Sequence, residues 1–155
     1  CISANPLIRF CAFFHDLGKL ATDPTLYPAH HGHDLAGYRL APAFCKRLRL
    51  PSSYGSSLAW VSRLHTNMNR WHELRESTKL RLAGQAIKNG VTSILVTVST
   101  ADKQTSSILV DWEHVLKTAS MTTLELGINQ TTLQNTPPHK RPEYIFQHRL
   151  QALKT

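Results

Sequence analysis

The run Phe14-His15-Asp16-Leu17-Gly18-Lys19 decides how this sequence is interpreted. It follows an almost wholly apolar stretch over 10–14, so Asp16 is expected at the end of a buried helix. A carboxylate in that position needs a metal ion, a cation or several donors to offset its desolvation. His15 and Asp16 together offer one nitrogen and one oxygen ligand, the combination that a hydrolytic divalent metal uses. We therefore predict a metal site, against the alternative of a hydrogen-bonded pair at a helix end.

A second histidine run, His30-His31-Gly32-His33, adds three imidazoles. His30 and His31 are adjacent and cannot point the same way, so at least one is expected to support a ligand or to face a phosphate. Gly37 follows His33 by one helical turn and would let another backbone approach that face. Lys19 could hold a phosphate oxygen as a point charge, or could be a solvated residue after a helix stop.

Caps and apolar spacing predict an all-α fold. Asn5-Pro6 is a good helix start and Gly18 a good stop, while Pro42 should kink or break the second helix. Residues 91–98 are rich in β-branched side chains, which favour a strand, but a lone strand would be costly and we predict a helix. The predicted helices cover 6–17, 33–48, 54–66, 77–89, 91–98 and 111–121, with a final amphipathic helix from 142.

The domain organisation is predicted from the same pattern. We expect a helical domain over 1–126, a linker over 127–141, and a C-terminal helix over 142–155 that packs on the same domain. The apolar residues expected to face the core include Leu35, Tyr38, Leu40, Phe44, Cys45, Leu48, Leu80, Leu82, Ala83 and Ile87.

Charge and cysteine content suggest the partner and the compartment. The chain has 18 Lys+Arg against 10 Asp+Glu, a net charge of +8, which favours a polyanion such as a nucleic acid, although a basic protein without such a partner is an equal alternative. Of three cysteines, Cys11 and Cys45 lie in apolar contexts and are interpreted as buried thiols of a reducing cytoplasm. Neither a membrane span nor a signal peptide is evident in the sequence.

The spacing of the motifs resembles a known family over 10–51. The pattern F-x-x-x-x-H-D-L-G-K, then Y-P-x-H-H-G-H-x-x-x-G, then C-x-R-L-R-x-P, is similar to the HD domain of bacterial CCA-adding enzymes (tRNA nucleotidyltransferases). His65-Thr66-Asn67 and Glu73-Leu74-Arg75 match the family's H-T-N and E-L-R. The likeness weakens beyond Leu82 and returns in the final helix.

The resemblance implies a helical HD-domain bundle that binds one or two divalent metals through a pattern H…HD…D. His15 and Asp16 would be the central pair, His33 a supplementary ligand and Asp102 the closing aspartate, although Thr100 replaces the acidic residue that precedes it in the family. His65 or His31 could protonate a leaving alcohol. The implied cofactor is Mg²⁺, Ni²⁺ or Mn²⁺.

The resemblance also implies an activity. A domain of this family in a tRNA-processing enzyme would be a metal-dependent phosphohydrolase that acts on 2′,3′-cyclic phosphates, 2′-nucleotides and phosphomonoesters. The family's first histidine lies upstream, so we expect an N-terminally truncated HD bundle. The alternatives are a catalytically degenerate HD domain that binds tRNA or dimerises, and a stand-alone HD nucleotidase. No G-S with paired aspartates occurs, so the nucleotidyltransferase head is not in this sequence.

Five basic residues are candidates for contacts with tRNA phosphates. Their alternative is an ordinary solvated helix face. They are Arg63, Arg70, Arg75, Lys79 and Arg81.

Overall fold

The computed structural model describes residues 3–103 and 108–154, and over these two ranges the chain forms helices and turns without a strand. The helices are α1 (Pro6–Phe14), α2 (His33–Arg47), α3 (Ser52–Asn69), α4 (Glu76–Lys88), α5 (Thr92–Lys103), α6 (Leu109–Ser120), α7 (Gln130–Asn135) and α8 (Arg141–Leu153). Short 3₁₀ turns lie at Leu17–Ala21, Pro24–Leu26, Trp71–Glu73 and Pro138–Lys140. The all-α prediction is confirmed. Cys1, and Thr155 at the end of the predicted final helix, lie outside the described residues.

Helix α1 begins where the sequence predicts and ends earlier. The Asn5 side chain accepts a hydrogen bond from the Leu7 amide at 2.9 Å, which caps the helix. The helix stops at Phe14, and the chain continues as the 3₁₀ turn Leu17–Ala21. The turn lets Gly18 pack directly against α2, since a Cβ built on Gly18 would lie 1.8 Å from the carbonyl oxygen of His33.

Helix α2 runs through Pro42 without a break, so of the kink or break expected there the break is excluded. Pro42 is exposed, which lets water bond the carbonyl oxygen that proline deprives of its amide donor. The buried face of α2 carries only small residues, Gly37, Ala41 and Cys45. A narrow seam of this kind brings α2 close to α3, as predicted for Gly37: its added Cβ would lie 2.9 Å from the Cβ of Ser62.

Because the small residues of α2 face α3, several larger apolar residues of α2 are exposed, although the sequence predicts that they face the core. Leu35 and Leu40 are each 38% exposed and Leu48 is 50% exposed. On α4, Ile87 is also exposed. Their hydrophobic spacing is helical, but the small residues rather than the leucines decide which face of α2 meets α3.

The ambiguous stretch 91–98 is helical, as predicted, and lies within α5. Its apolar residues are buried, among them Leu95 and Val98. Trp71 and Trp112 are also buried, with ring centroids 5.3 Å apart. Cys11 and Cys45 are buried free thiols, as predicted.

The helices form two sides around this core. Helix α3 packs against α1, α2 and α5, whereas α4 packs against α6 and α8. The segment 127–141 contains α7, which Asn129 caps, before α8 returns to the core through Leu153. Among the helices described, none is both long enough and apolar enough to span a membrane.

Candidate metal centre

The Asp16 carboxylate lies at the meeting point of three helices. It follows α1 directly, while His33 begins α2 and His65 lies on α3. Its Oδ1 atom is 3.3 Å from His65 Nε2 and 3.4 Å from His33 Nε2, and its Oδ2 atom is 3.5 Å from His15 Nε2. The structure therefore brings His15, Asp16 and His33 together, and it places His65, which the resemblance puts near the metal or the substrate phosphate, against the same carboxylate.

Each of these three imidazoles is held by a backbone carbonyl. The Nδ1 atoms of His15, His33 and His65 lie 2.8 Å from the carbonyl oxygens of Ala12, His30 and Ser62, three residues earlier in each case. A carbonyl oxygen only accepts, so Nδ1 carries the proton. In the neutral ring the Nε2 lone pair then faces the centre, which is the tautomer and orientation that a metal-ligating histidine needs.

Two of the inward-facing atoms have no hydrogen-bond partner among the described residues. Among the described residues, His15 Nε2 and Asp16 Oδ1 are buried and make no hydrogen bond. The Nε2 atoms of His33 and His65 face each other at 3.2 Å, and their lone pairs would repel in the neutral rings unless a cation or proton lay between them. These unsatisfied atoms fit a bound cation.

Asp16 is ionised at neutral pH. Burial by itself would raise the pKa of this carboxyl, but its contacts with the His65 imidazole and the Lys19 ammonium outweigh that effect and hold the pKa well below its ordinary value. One atom each from His15, Asp16 and His65 can be chosen so that all lie within 4.8 Å of one another. Two imidazoles and one carboxylate form a donor set suited to a divalent transition metal, with positions left open for water or substrate.

Asp102 lies at the edge of this group. Its Oδ1 atom is 3.8 Å from His15 Nε2, and its side chain is 38% exposed. Asn69, one turn after His65 on α3, donates from Nδ2 to the other Asp102 oxygen at 2.7 Å. The sequence analysis missed Asn69, whose spacing from His65 on one helix face was the available signal.

The remaining candidates around the centre differ in position. The Lys19 ammonium pairs with Asp16 Oδ2. His30 is half-buried and its Nδ1 bonds the Thr22 hydroxyl at 2.8 Å, while its carbonyl orients His33. His31 is exposed. Of the two neighbours in the H-H-G-H run, His30 therefore orients the His33 ring, and His31 is exposed to solvent.

The five residues expected to contact tRNA have varied surroundings. Arg63 is paired with Asp34, and Arg70 with Glu73 at 2.6 Å. The Arg81 guanidinium lies over the Phe146 ring at 4.9 Å, and Arg75 is exposed.

Lys79 departs most from that expectation. It is buried and paired with Asp111 at 2.9 Å and with Glu76 at 3.2 Å. Two carboxylates already neutralise its charge, which leaves Lys79 less suited to bind a phosphate than the exposed Arg75.

The chain is therefore an α-helical domain in which imidazoles surround one carboxylate, a group of side chains that could hold a metal ion. The family model of the HD domain matches residues 4–103, the range that contains α1 to α5 and every member of the cluster. The chain belongs to the HD domain family.

Its curated relatives include several proteins named Multifunctional CCA protein. The one from Legionella pneumophila (strain Philadelphia 1) is 44% identical over 84 residues, which cover 54% of this chain and 20% of that protein. The Thioalkalivibrio sulfidiphilus protein is 41% identical over 80 residues, covering 52% and 20%. The Vibrio cholerae serotype O1 (strain M66-2) protein is 36% identical over 83 residues, covering 54% and 21%.

The similarity to these relatives is therefore limited to one part of each chain. The aligned part of this chain spans about a fifth of the length of these relatives. No solved structure matches the chain. The comparisons support the HD domain and its kinship with CCA-adding enzymes.

Proposed function

We propose that this domain is a metal-dependent phosphohydrolase that acts on 2′,3′-cyclic phosphates, 2′-nucleotides and simple phosphomonoesters. The observation that carries the proposal is the convergence of three Nε2 atoms on the Asp16 carboxylate with two of the inward-facing atoms unsatisfied. Mg²⁺, Ni²⁺ and Mn²⁺ are the candidate ions. The kinship with CCA proteins supports tRNA as the larger partner and the cytoplasm as the compartment.

His15, Asp16 and His65 would hold the ion, with His33 and Asp102 completing the set on either side. When bound, such an ion lowers the pKa of a water molecule and neutralises charge on phosphate oxygens. The carbonyls of Ala12, His30 and Ser62 keep the three rings oriented before substrate arrives, so little reorganisation is needed.

Lys19 is placed to serve the substrate. Its ammonium pairs with Asp16, at the edge of the cluster, and its side chain is 42% exposed. A phosphate entering the centre would meet this cation at once, and a point charge of this kind suits a non-bridging phosphate oxygen. His31 remains the candidate for protonating a leaving alcohol, while His65, buried among the ligands, is better suited to ligation.

A second candidate function rests on Asp102. Its carboxylate is 3.8 Å from His15 Nε2, partly exposed and engaged by Asn69, so the cluster is less closed on this side. A domain that had lost catalysis and served tRNA binding or dimerisation would tolerate that arrangement. The net charge of +8 suits it too.

Hydrolysis of 2′,3′-cyclic AMP tests the first function. The purified chain is assayed with Ni²⁺, with Mn²⁺, with Mg²⁺ and with EDTA, beside the variants His15→Ala and Asp16→Asn. We expect each variant to lose more than about 100-fold in kcat/KM, because residues that merely support ligands already contribute about 10–100-fold. Calorimetric titration with Mn²⁺ should show the same variants losing metal affinity.

His139→Gln is the matched control, because His139 is an exposed histidine on a turn before α8. It should leave both activity and Mn²⁺ affinity unchanged. Activity that survives EDTA, or that survives both ligand substitutions, would rule out the hydrolase. An inert wild-type chain that still binds Mn²⁺ and tRNA would favour the binding domain.

A further inference from the structure

Helix α2 and the turn after it carry a charged surface that the metal centre does not use. Arg39 and Lys46 lie two turns apart on one face of α2, and Arg47 lies beside Lys46. Arg49 follows in the turn to α3. All four side chains are exposed, and we call them the α2 basic surface.

Among the described residues, no carboxylate forms an ion pair with this surface. Throughout 3–103 and 108–154, none of its four cations takes part in an ion pair, whereas Arg63, Arg70 and Lys79 all do. All four cations lie in the stretch between Asp34 and Glu73, which contains no Asp or Glu. An array of one sign without counter-charges creates a positive potential that attracts a polyanion.

The shape of the region suits a phosphate chain. A cavity of about 430 Å³ is lined by Lys46, Arg49 and Ser52 together with the apolar or small residues Pro42, Cys45, Leu50 and Gly55. Helix α3 begins there with Pro51 in the N-cap position and no side-chain cap, and its Tyr54 amide bonds the Pro51 carbonyl oxygen at 3.0 Å. A second groove, of about 340 Å³, combines Arg47 with apolar residues, among them Phe44.

We propose that the α2 basic surface binds the phosphate backbone of an RNA whose end reaches the metal centre. The inference rests on the proposed phosphohydrolase function, because it extends that site to a longer substrate. His33 begins α2 and Lys46 lies near its end, roughly 20 Å away at the rise of an α-helix. A mononucleotide cannot span that distance, whereas an RNA strand can.

The basic residues at the end of α2 could instead serve only to stabilise the helix, and that role predicts a different result. Lys46 and Arg47 also lie in the last turn of α2, where cations complement the helix dipole. Such a role predicts lower thermal stability on their removal and no change in RNA binding. Measuring both properties in the same variant separates the two roles.

The test compares two triple variants of the 155-residue chain. The surface variant carries Arg39→Gln, Lys46→Gln and Arg47→Gln. The matched control carries Lys88→Gln, Lys117→Gln and Lys154→Gln, which removes the same charge from exposed positions on α4, on α6 and just after α8. The probes are a synthetic tRNA and 2′,3′-cyclic AMP.

We expect the surface variant to bind the tRNA on the order of tenfold more weakly at low salt. The slope of log Kd against log salt concentration should fall by about 2–3, because each phosphate that the protein no longer neutralises lowers it by about 0.7–0.9. Hydrolysis of 2′,3′-cyclic AMP should be unchanged. The control variant should keep the wild-type slope.

Equal weakening in both variants would show a net-charge effect and overturn the proposal. Full tRNA affinity in the surface variant would also overturn it, whether or not stability falls. If the wild-type chain does not hydrolyse 2′,3′-cyclic AMP, the proposed phosphohydrolase function is wrong. The difference in salt slope between the two variants still decides the RNA surface.

Discussion

Gly18 sets how closely the Asp16 turn can approach His33. A Cβ at this position would lie 1.8 Å from the His33 carbonyl oxygen and 2.4 Å from the Gly37 nitrogen, distances that real Cβ atoms do not show. Both neighbours are backbone atoms of α2, which cannot rotate away. The distance between Asp16 and the first residue of α2 therefore depends on the missing side chain.

Gly18→Ala should both destabilise the fold and weaken the metal centre. Overpacking of this kind typically costs about 1–3 kcal/mol, and the backbone shift would move His33 away from Asp16. Urea denaturation and Mn²⁺ titration measure the two effects. Gly84→Ala is the matched control, because Gly84 lies within α4 with nothing within 4 Å of an added Cβ.

The control variant should gain about 0.5–1 kcal/mol, since alanine is the better helix former. Unchanged Mn²⁺ affinity in Gly18→Ala would contradict the close-approach argument.

At the level of single residues, sequence reasoning identified the centre but not all of its contacts. His15, Asp16 and His33 could be found because a histidine-aspartate pair after an apolar helix has few other uses. His65 was recognised, but whether it ligates or transfers protons depends on its distance to Asp16. Asn69 was missed because its role depends on the position of Asp102, on a helix far along the chain.

At the level of elements, the apolar pattern predicts the helix over 91–98 but not which face of α2 is buried. The helix over 91–98 could be predicted against its β-branched composition because every neighbour is helical. The buried face of α2 could not be, since apolar spacing favours the leucines over Gly37, Ala41 and Cys45. Close helix approach is a property of two helices together, and the sequence of one does not reveal it.

Asp111 joins two helices and the turn before them. It accepts hydrogen bonds from Trp71 Nε1 at 2.6 Å and from Lys79 Nζ at 2.9 Å, linking α6 to the Trp71–Glu73 turn and α4. Burial alone would raise the pKa of Asp111, but these two hydrogen bonds lower it below its ordinary 3.8. Its stabilising contribution is therefore present above about pH 4 and lost as pH falls through the lowered pKa.

Asp111→Asn should destabilise the chain by about 1 kcal/mol at pH 7, the low end for a charged hydrogen bond because the side chain is partly exposed. The loss should shrink as the pH is lowered below 3.8, where the wild-type carboxyl also becomes neutral. Urea denaturation at a series of pH values measures it. Glu113→Gln, on the exposed face of α6, is the control and should have little effect. A loss independent of pH would contradict the charge argument.

At the level of the whole molecule, the candidate metal centre connects three helices. His15 and Asp16 follow α1, His33 begins α2, and His65 lies on α3, the helix that packs against α1, α2 and α5. An ion held by these residues binds the folded chain and not the unfolded one. Folding stability and metal affinity are thereby coupled.

Metal binding should therefore raise the melting temperature of the whole domain. At a hundredfold excess of Mn²⁺ over its Kd the gain is about 2.7 kcal/mol. For a chain of this size that corresponds to roughly 5–10 °C, measured by thermal unfolding with Mn²⁺ and again after EDTA. Asp16→Asn should abolish the shift, because the central carboxylate is removed while the three imidazoles remain. If Mn²⁺ raised the melting temperature of that variant as much as that of the wild type, the ion would bind elsewhere on the chain. The proposal that the Asp16 cluster holds the metal would then be wrong.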